Sequence, residues 1–254
     1  MNEDFSVKWF SKKSVIGAEL ILGIPGIGNV ANLSADYLIK KLKAELICRI
    51  ESTYLPNIAI ITSESLLMLP SYDLYFVSIK SKKIAFLKSN YAPINEKYNY
   101  ELAEFLAGII KKKGIKRVFT IAGIAYKEMP KNIMLHCAAN DKKLVKHLKD
   151  SGLIFDGNKS VNLIIGSAGL LLTSCQKKGV PGACILASTF GHPQHMGIKE
   201  ARKVIKFFSD YFKLNIDLSD IDKDIKKINA EIKKMKLGNQ SNEDSSQRIS
   251  RYIG

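Results

Sequence analysis

Cysteine is scarce. Cys48, Cys137, Cys175 and Cys184 are the only four in 254 residues, and no two form a C-x-x-C pair. That spacing speaks against a zinc knuckle or a thioredoxin-like redox pair, and reduced, mostly buried thiols are expected. Long apolar runs are also missing. No stretch approaches the roughly 18 uninterrupted apolar residues of a membrane span, and Met1-Asn2-Glu3-Asp4 is not a basic segment leading into an apolar one. The expectation is a cytoplasmic protein without a membrane partner. Acidic residues are in deficit, 24 against 39 Lys plus Arg, which leaves a net charge of +15. Such an excess favours acidic partners, either nucleic acid or an acidic protein surface. The lysines are scattered through helical stretches (Lys111 to Lys113, Lys177-Lys178, Lys226-Lys227, Lys233-Lys234) and lack the interleaved aromatics on which single-strand binders stack bases. No specific nucleic-acid partner is therefore expected. A Walker-type G-x-x-x-x-G-K-S/T is absent too, so ATP use has no support and no cofactor is expected.

With 46% hydrophobic and 25% charged residues, the chain is long enough to bury one large core. From Ala18 onward, short apolar runs alternate with amphipathic stretches. "ELILGI" reads as a strand, residues 28 to 43 as a helix with Val30, Leu33, Ala35, Tyr37, Leu38 and Leu42 apolar, and "AELICRI" as the next strand, together a βαβ unit. "YDLYFVSI" and "KKIAFLK" form a hairpin pair. Tyr100 to Lys113 reads as a helix closed by Gly114, and "KRVFTIAGI" as a buried strand. "KKLVKHL", "VNLIIGSAGLLLTSCQKKG", "PGACILAS" and "IKEARKVIKFFSDYF" continue as helix, strand with helix, strand and helix. Alternation of this kind predicts a layered α/β domain, a mostly parallel sheet flanked by helices, over residues 1–214.

Beyond residue 214 the pattern changes. Leu218, Ile221, Ile225, Ile228, Ile232 and Met235 recur at steps of three and four, the spacing of a helix packed along a seam over residues 215–237. Asp217, Asp220, Asp222 and Asp224 crowd its start and Lys233, Lys234 and Lys236 its end, each sign complementing the helix dipole, and Gly238 is placed to stop it. Two readings stand: a terminal helix packed on its own domain, or one that meets a partner or another subunit. In residues 238–254, "NQSNEDSSQRIS" offers too little apolar surface to repay ordering and reads as a tether. It ends in Arg251-Tyr252-Ile253-Gly254, an aromatic and a branched apolar side chain beside a carboxylate, the form of a docking peptide.

The richest motif is "GIPGIGNVA", residues 23 to 31. Gly26, Gly28 and Ala31 match the G-x-G-x-x-G/A spacing of a dinucleotide-binding turn, and the following strand ends near Glu51, where an acid would meet a ribose hydroxyl. Pro25 lengthens the turn, and Asn29 to Asn32 bring polar groups to a place of close packing. Spacing leaves open whether Gly23, Pro25, Gly26 and Gly28 form a nucleotide site or a structural turn at a tight crossover. Elsewhere no catalytic set assembles. Ser167 in Gly166-Ser167-Ala168-Gly169 is one residue short of a nucleophile elbow, and Asp141 and His147 have no nucleophile to pair with. His192-Pro193-Gln194-His195 lacks a third ligand at metal-site spacing and reads as a loop stabiliser, so no metal is expected.

Taken together, Gly23-x-Pro25-Gly26-x-Gly28-Asn29-Val30, "YLIKKLKAELI", "IESTYLPNIAI", "FTIAGI", "IIGSAGLLLTSCQKKGVPGACILAS" and "FGHPQHMGIKEARKVI" resemble the proteasome assembly chaperone family in its archaeal form, from about Val15 to Phe212. The resemblance implies a nucleoside-phosphorylase-like α/β domain without established chemistry, in a homo-oligomer that binds the α-subunits of the proteasome core particle. It also implies that the tail end, Arg251, Tyr252, Ile253 and Gly254, docks between α-subunits. Here the tail departs from the family's hydrophobic-Tyr-X ending, since Tyr252 is third from the end. The expected function is a non-catalytic, ATP-independent assembly chaperone or proteasome-binding protein. The alternative is a nucleotide- or nucleoside-binding enzyme using the turn at 23–31.

Overall fold

The computed structural model describes residues 4–227. Within these, one compact unit ends at Ile216 and a second begins at Asp217. The first unit is built on an eight-stranded sheet in the order β1-β3-β6-β7-β2-β8-β10-β9. Its strands are β1 (Phe5–Trp9), β2 (Glu19–Gly23), β3 (Glu45–Ser52), β6 (Ser71–Ile79), β7 (Lys82–Lys88), β8 (Arg117–Tyr126), β9 (Leu135–Ala139) and β10 (Gly182–Phe190). Among the described residues the short strands β4 (Ile60–Ile61) and β5 (Leu67–Met68) pair only with each other. Five helices complete the unit: α1 (Val30–Leu42), α2 (Glu96–Lys112), α3 (Lys142–Leu148), α4 (Ser167–Lys177) and α5 (Ile198–Phe212).

The sheet is parallel at its centre, through β7, β2, β8 and β10, and antiparallel at both flanks. β2, β3, β7, β8 and β10 run one way, against β1, β6 and β9. The β2-α1-β3 crossover is present, but β6 and β7 lie between its two strands. Burial on both faces explains why the central strands read as continuous apolar runs: every residue of β10 up to Thr189 is buried. Leu20, Leu22, Leu87 and Leu186 join the core cluster with Leu102, Leu106 and Leu171 of α2 and α4. The alternate residues Ile21, Phe86 and Phe119 are fully buried on the opposite face, with α1 and α5, where the Phe119 and Phe208 rings meet edge-on at 5.6 Å.

Several expectations need correction. α2 starts at Glu96 rather than Tyr100, because the Asn95 side chain accepts the Tyr98 N–H at 2.9 Å and caps an earlier first turn. The strand expected in "VNLII" does not form. Val161 and Ile164 pack onto the core while Leu163 and Ile165 face outward, and the Ile164 carbonyl lies where only a glycine, Gly169, permits it: a Cβ there would be 2.8 Å away. The sheet position beside β10 belongs instead to β9, which the sequence reading missed, as it missed β1.

In the second unit a helix spans 219–227 within the described residues. Ile221, Asp222 and Ile225 are its less exposed positions and Lys223, Asp224, Lys226 and Lys227 are exposed, while Leu218, half-buried, lies just before it. Ile228, Ile232 and Met235 of the expected seam, and Arg251, Tyr252, Ile253 and Gly254 of the tail, lie outside the described residues.

Candidate functional site

The glycine turn closes the carboxyl end of β2, midway along the sheet. From β2 the chain crosses toward β3 on one side, whereas β8 and β10 lie on the other. That makes the turn a topological switch point, where open α/β sheets usually bind ligands. Each glycine meets a different demand. A Cβ on Gly23 would stand 2.2 Å from the Ala35 Cβ, so its hydrogen lets α1 press against β2. Gly28 has φ +65, the left-handed region, and a Cβ there would approach Thr189 Oγ1 to 2.8 Å. Gly26 is extended, at φ −170, with open space around the missing Cβ. Asn29 is left-handed as well and leads into α1 without a side-chain cap. Asn32, at 6% exposure, donates its amide to the Gly23 and Ser89 carbonyls at 3.1 and 3.0 Å in the orientation that satisfies it. Its polar group thus ties α1 to the ends of β2 and β7.

The chain's own residues fill the crevice beside this turn. The Ile27 carbonyl stands over Gly123 of β8, 2.4 Å from where a Cβ would be, and the Gly197 N–H donates to the Gly28 carbonyl at 2.7 Å. Behind them sits a buried polar cluster. Thr189 Oγ1 donates to Glu200 Oε1 at 2.8 Å, and His195 Nε2 lies 3.0 Å from the same oxygen. Glu200 is 2% exposed, so these partners are what make its burial tolerable. His192 stacks on Phe190 at 5.6 Å. The two histidines of His192-Pro193-Gln194-His195 therefore brace the loop over the turn, by an aromatic stack and by a bond to α5. Among the described residues no group of three His, Cys, Asp or Glu converges on one point.

Ser167 donates to Asn99 Oδ1 of α2 at 2.5 Å, and Gly166 before it has φ +83. Leu22, Tyr72, Leu102, Ala103, Leu106 and Leu171 line the small cavity there with Asn99, and they supply no histidine or carboxylate to activate the hydroxyl. A larger hollow of about 470 Å³ opens at the opposite ends of the strands, between α3, the end of α4 and the starts of β8 and β10. Much of its polar wall already serves the fold. Arg117 and Tyr211 share Glu19 Oε2, Asp141 caps α3 through the Leu144 N–H, and Asn140 bonds Leu172, Val180 and Gly182 backbone groups. The four thiols are free and buried, and desolvation pushes Cys48 up to about 11 and Cys175 and Cys184 up to about 12, leaving no thiolate for chemistry at neutral pH.

This fold has close counterparts. The PAC2 family model matches residues 20–236. The chain belongs to the PAC2 family. An uncharacterised protein of Methanocaldococcus jannaschii is 27% identical over 223 residues, covering 86% of this chain and 83% of that one. Among solved structures, Pyrococcus furiosus PbaB, described as an archaeal proteasome activator, matches with TM-score 0.85 at 21% identity over 92% of this chain and 99% of PbaB. Pyrococcus furiosus PbaA, described as an archaeal homolog of proteasome-assembly chaperone, matches with TM-score 0.78 at 20% identity over 94% of each chain. The PAC2 fold is thus shared nearly end to end. Sequence reasoning missed the Thr189–His195–Glu200 cluster, whose one visible signal was a glutamate on the otherwise apolar side of "IKEARKVI".

Proposed function

We propose that this PAC2 protein is a non-catalytic, ATP-independent proteasome assembly chaperone or proteasome-binding protein. It works as a homo-oligomer whose α/β units form a platform and whose C-termini engage core-particle α-subunits. Family membership supports this reading, as do the descriptions of PbaB as a proteasome activator and of PbaA as a homolog of proteasome-assembly chaperone. The observation that carries it against an enzyme reading is the close packing of the turn on its own chain: Thr189 stands 2.8 Å from where a Gly28 Cβ would be, the Gly197 N–H bonds the Gly28 carbonyl at 2.7 Å, and Ile27 lies against Gly123, as a structural crossover requires. Arg251, Tyr252, Ile253 and Gly254 are assigned to α-subunit docking. Tyrosine gives a large contact with few rotatable bonds, isoleucine fills an apolar notch, and the carboxylate suits a lysine. Several tethered tails on one oligomer gain by effective concentration, so each contact can be weak. Leu218, Ile221, Ile225, Ile228, Ile232 and Met235 are assigned to a seam with a second copy or a partner.

The test is co-purification with native α-subunits in nucleotide-free buffer, run beside calorimetry with NAD, NADP, ATP and nucleosides. α-Subunits should be retained and no saturable nucleotide heat seen at sub-millimolar concentration. Micromolar nucleotide binding abolished by Gly28→Val, with no α-subunits retained, would establish the alternative.

A further inference from the structure

β3 and β6 are antiparallel neighbours, and such strands need no more than a two-residue turn, as Lys80-Ser81 provides between β6 and β7. Between β3 and β6 the chain instead spends residues 53 to 70, a length at which loops usually carry a function. The root of this segment is fixed. Tyr54 is buried, stacks on Tyr98 at 4.3 Å and accepts the Ile94 N–H at 3.1 Å. At the other end, Asp73 holds Arg49 through two bonds of 2.8 Å, and Arg49 reaches Met68 Sδ at 3.9 Å. On this root stands the β4–β5 ribbon, whose cross-strand pair Ile61 and Leu67 is 73% and 72% exposed, with Leu66 and Leu69 close behind at 59% and 57%.

Three features set the ribbon apart. An isolated two-stranded hairpin is marginal in water, and this one turns its apolar pair outward. Among the described residues its two strands pair with each other and not with the main sheet, so neither has a strand on its outer edge. Natural edges of this kind are blunted with lysine, yet a chain with 39 Lys and Arg places none between Arg49 and Lys80. The charge distribution names the occupant. Two copies, each at +15, repel one another, and a face that carries no lysine is where that repulsion costs least. An acidic partner would find its counter-charges on the lysine-bearing faces, whereas the cation that touches the ribbon, Arg49, is already paired with Asp73.

We infer that the β4–β5 ribbon is a self-association site, at which two copies of the chain meet through Ile61, Leu66, Leu67 and Leu69 about a two-fold axis. In such a contact each residue faces its own equivalent or a near neighbour, so the apolar pair of one copy covers that of the other. This inference deepens the homo-oligomer part of the proposed function, and its test is separable from proteasome capture.

The experiment uses the full chain. Sedimentation at micromolar concentration compares wild type with Ile61→Lys/Leu67→Lys, both exposed positions, with circular dichroism as the check on folding. Separately, Ile61→Cys is oxidised in air, the native thiols being buried and unreactive. The inference expects the lysine variant, still folded, to at least halve the sedimenting mass, and Ile61→Cys to form a disulfide-linked pair. A monomeric wild type, or an unchanged mass with no cross-linked pair, overturns it. If α-subunit capture is lost while the mass stays, the ribbon faces the proteasome and the inference also fails. Capture that was absent in the wild type would count against the proposed function and leave the mass comparison standing.

Discussion

Gly23 and Gly26 lie three residues apart on one turn and carry opposite demands. Replacing Gly23 by Ala forces a Cβ to 2.2 Å from the Ala35 Cβ, so α1 must shift off β2 at a cost of about 1–3 kcal/mol or more. Gly26→Ala adds a methyl to open space in an extended backbone and should leave the thermal midpoint nearly unchanged. Denaturant melts of the two variants check the contrast. If Gly26→Ala were the damaging change, the turn would be packed differently from this description. The spacing of the glycines was legible in the sequence. What filled the crevice was not, because Thr189, His195 and Glu200 lie more than 150 residues downstream and meet the turn only after the sheet has formed.

Glu104 makes a second claim at this scale. Hydrogen bonds from Lys178, then from Ser174, hold its carboxyl down from 4.5 to about 2, and Lys177 adds a contact at 3.3 Å. The folded-state value lies below the unfolded one, so the stabilisation is present above about pH 4.5 and fades as the pH falls toward 2. With the side chain 40% exposed, solvent screening limits the gain to roughly 1 kcal/mol at most. Glu104→Gln should lower stability slightly at pH 7 and match wild type near pH 2, as urea melts at the two pH values will show.

Among the elements, the central strands announced themselves because burial on both faces leaves uninterrupted apolar runs such as "GACILAS". Flank strands gave weaker signals. β1 alternates Phe5, Val7 and Trp9 with polar residues, but its middle three positions are exposed. β9 places a histidine and two alanines at the sheet edge, too little hydrophobic contrast to stand out. The opposite error, a strand expected in "VNLII", arose because a short apolar run does not say whether its backbone meets a sheet or lies over a helix. The C-terminal seam proposed over residues 218 to 235 makes the prediction here. Ile225→Asp with Ile232→Asp removes two side chains each worth about 1.5–3 kcal/mol when buried. Light scattering should report smaller particles while the α/β unit keeps its circular dichroism. An unchanged particle mass with a lowered melting temperature would place the helix on its own subunit.

At the scale of the molecule, a net charge of +15 acts over a broad surface and carries no sequence information by itself. DNA and RNA should therefore bind weakly, with affinity that falls steeply as salt rises and no preference among sequences. Fluorescence anisotropy across a salt series measures both. The central claim is proteasome docking, and it is tested most directly at the tail. Measured against α-rings in nucleotide-free buffer, the full chain and a chain lacking Arg251 to Gly254 should keep the same oligomeric mass and fold. The truncated chain should bind at least tenfold more weakly, a loss of about 1.4 kcal/mol, with Tyr252→Ala accounting for most of it. Equal binding by the two chains would contradict the account and move any docking surface onto the globular unit.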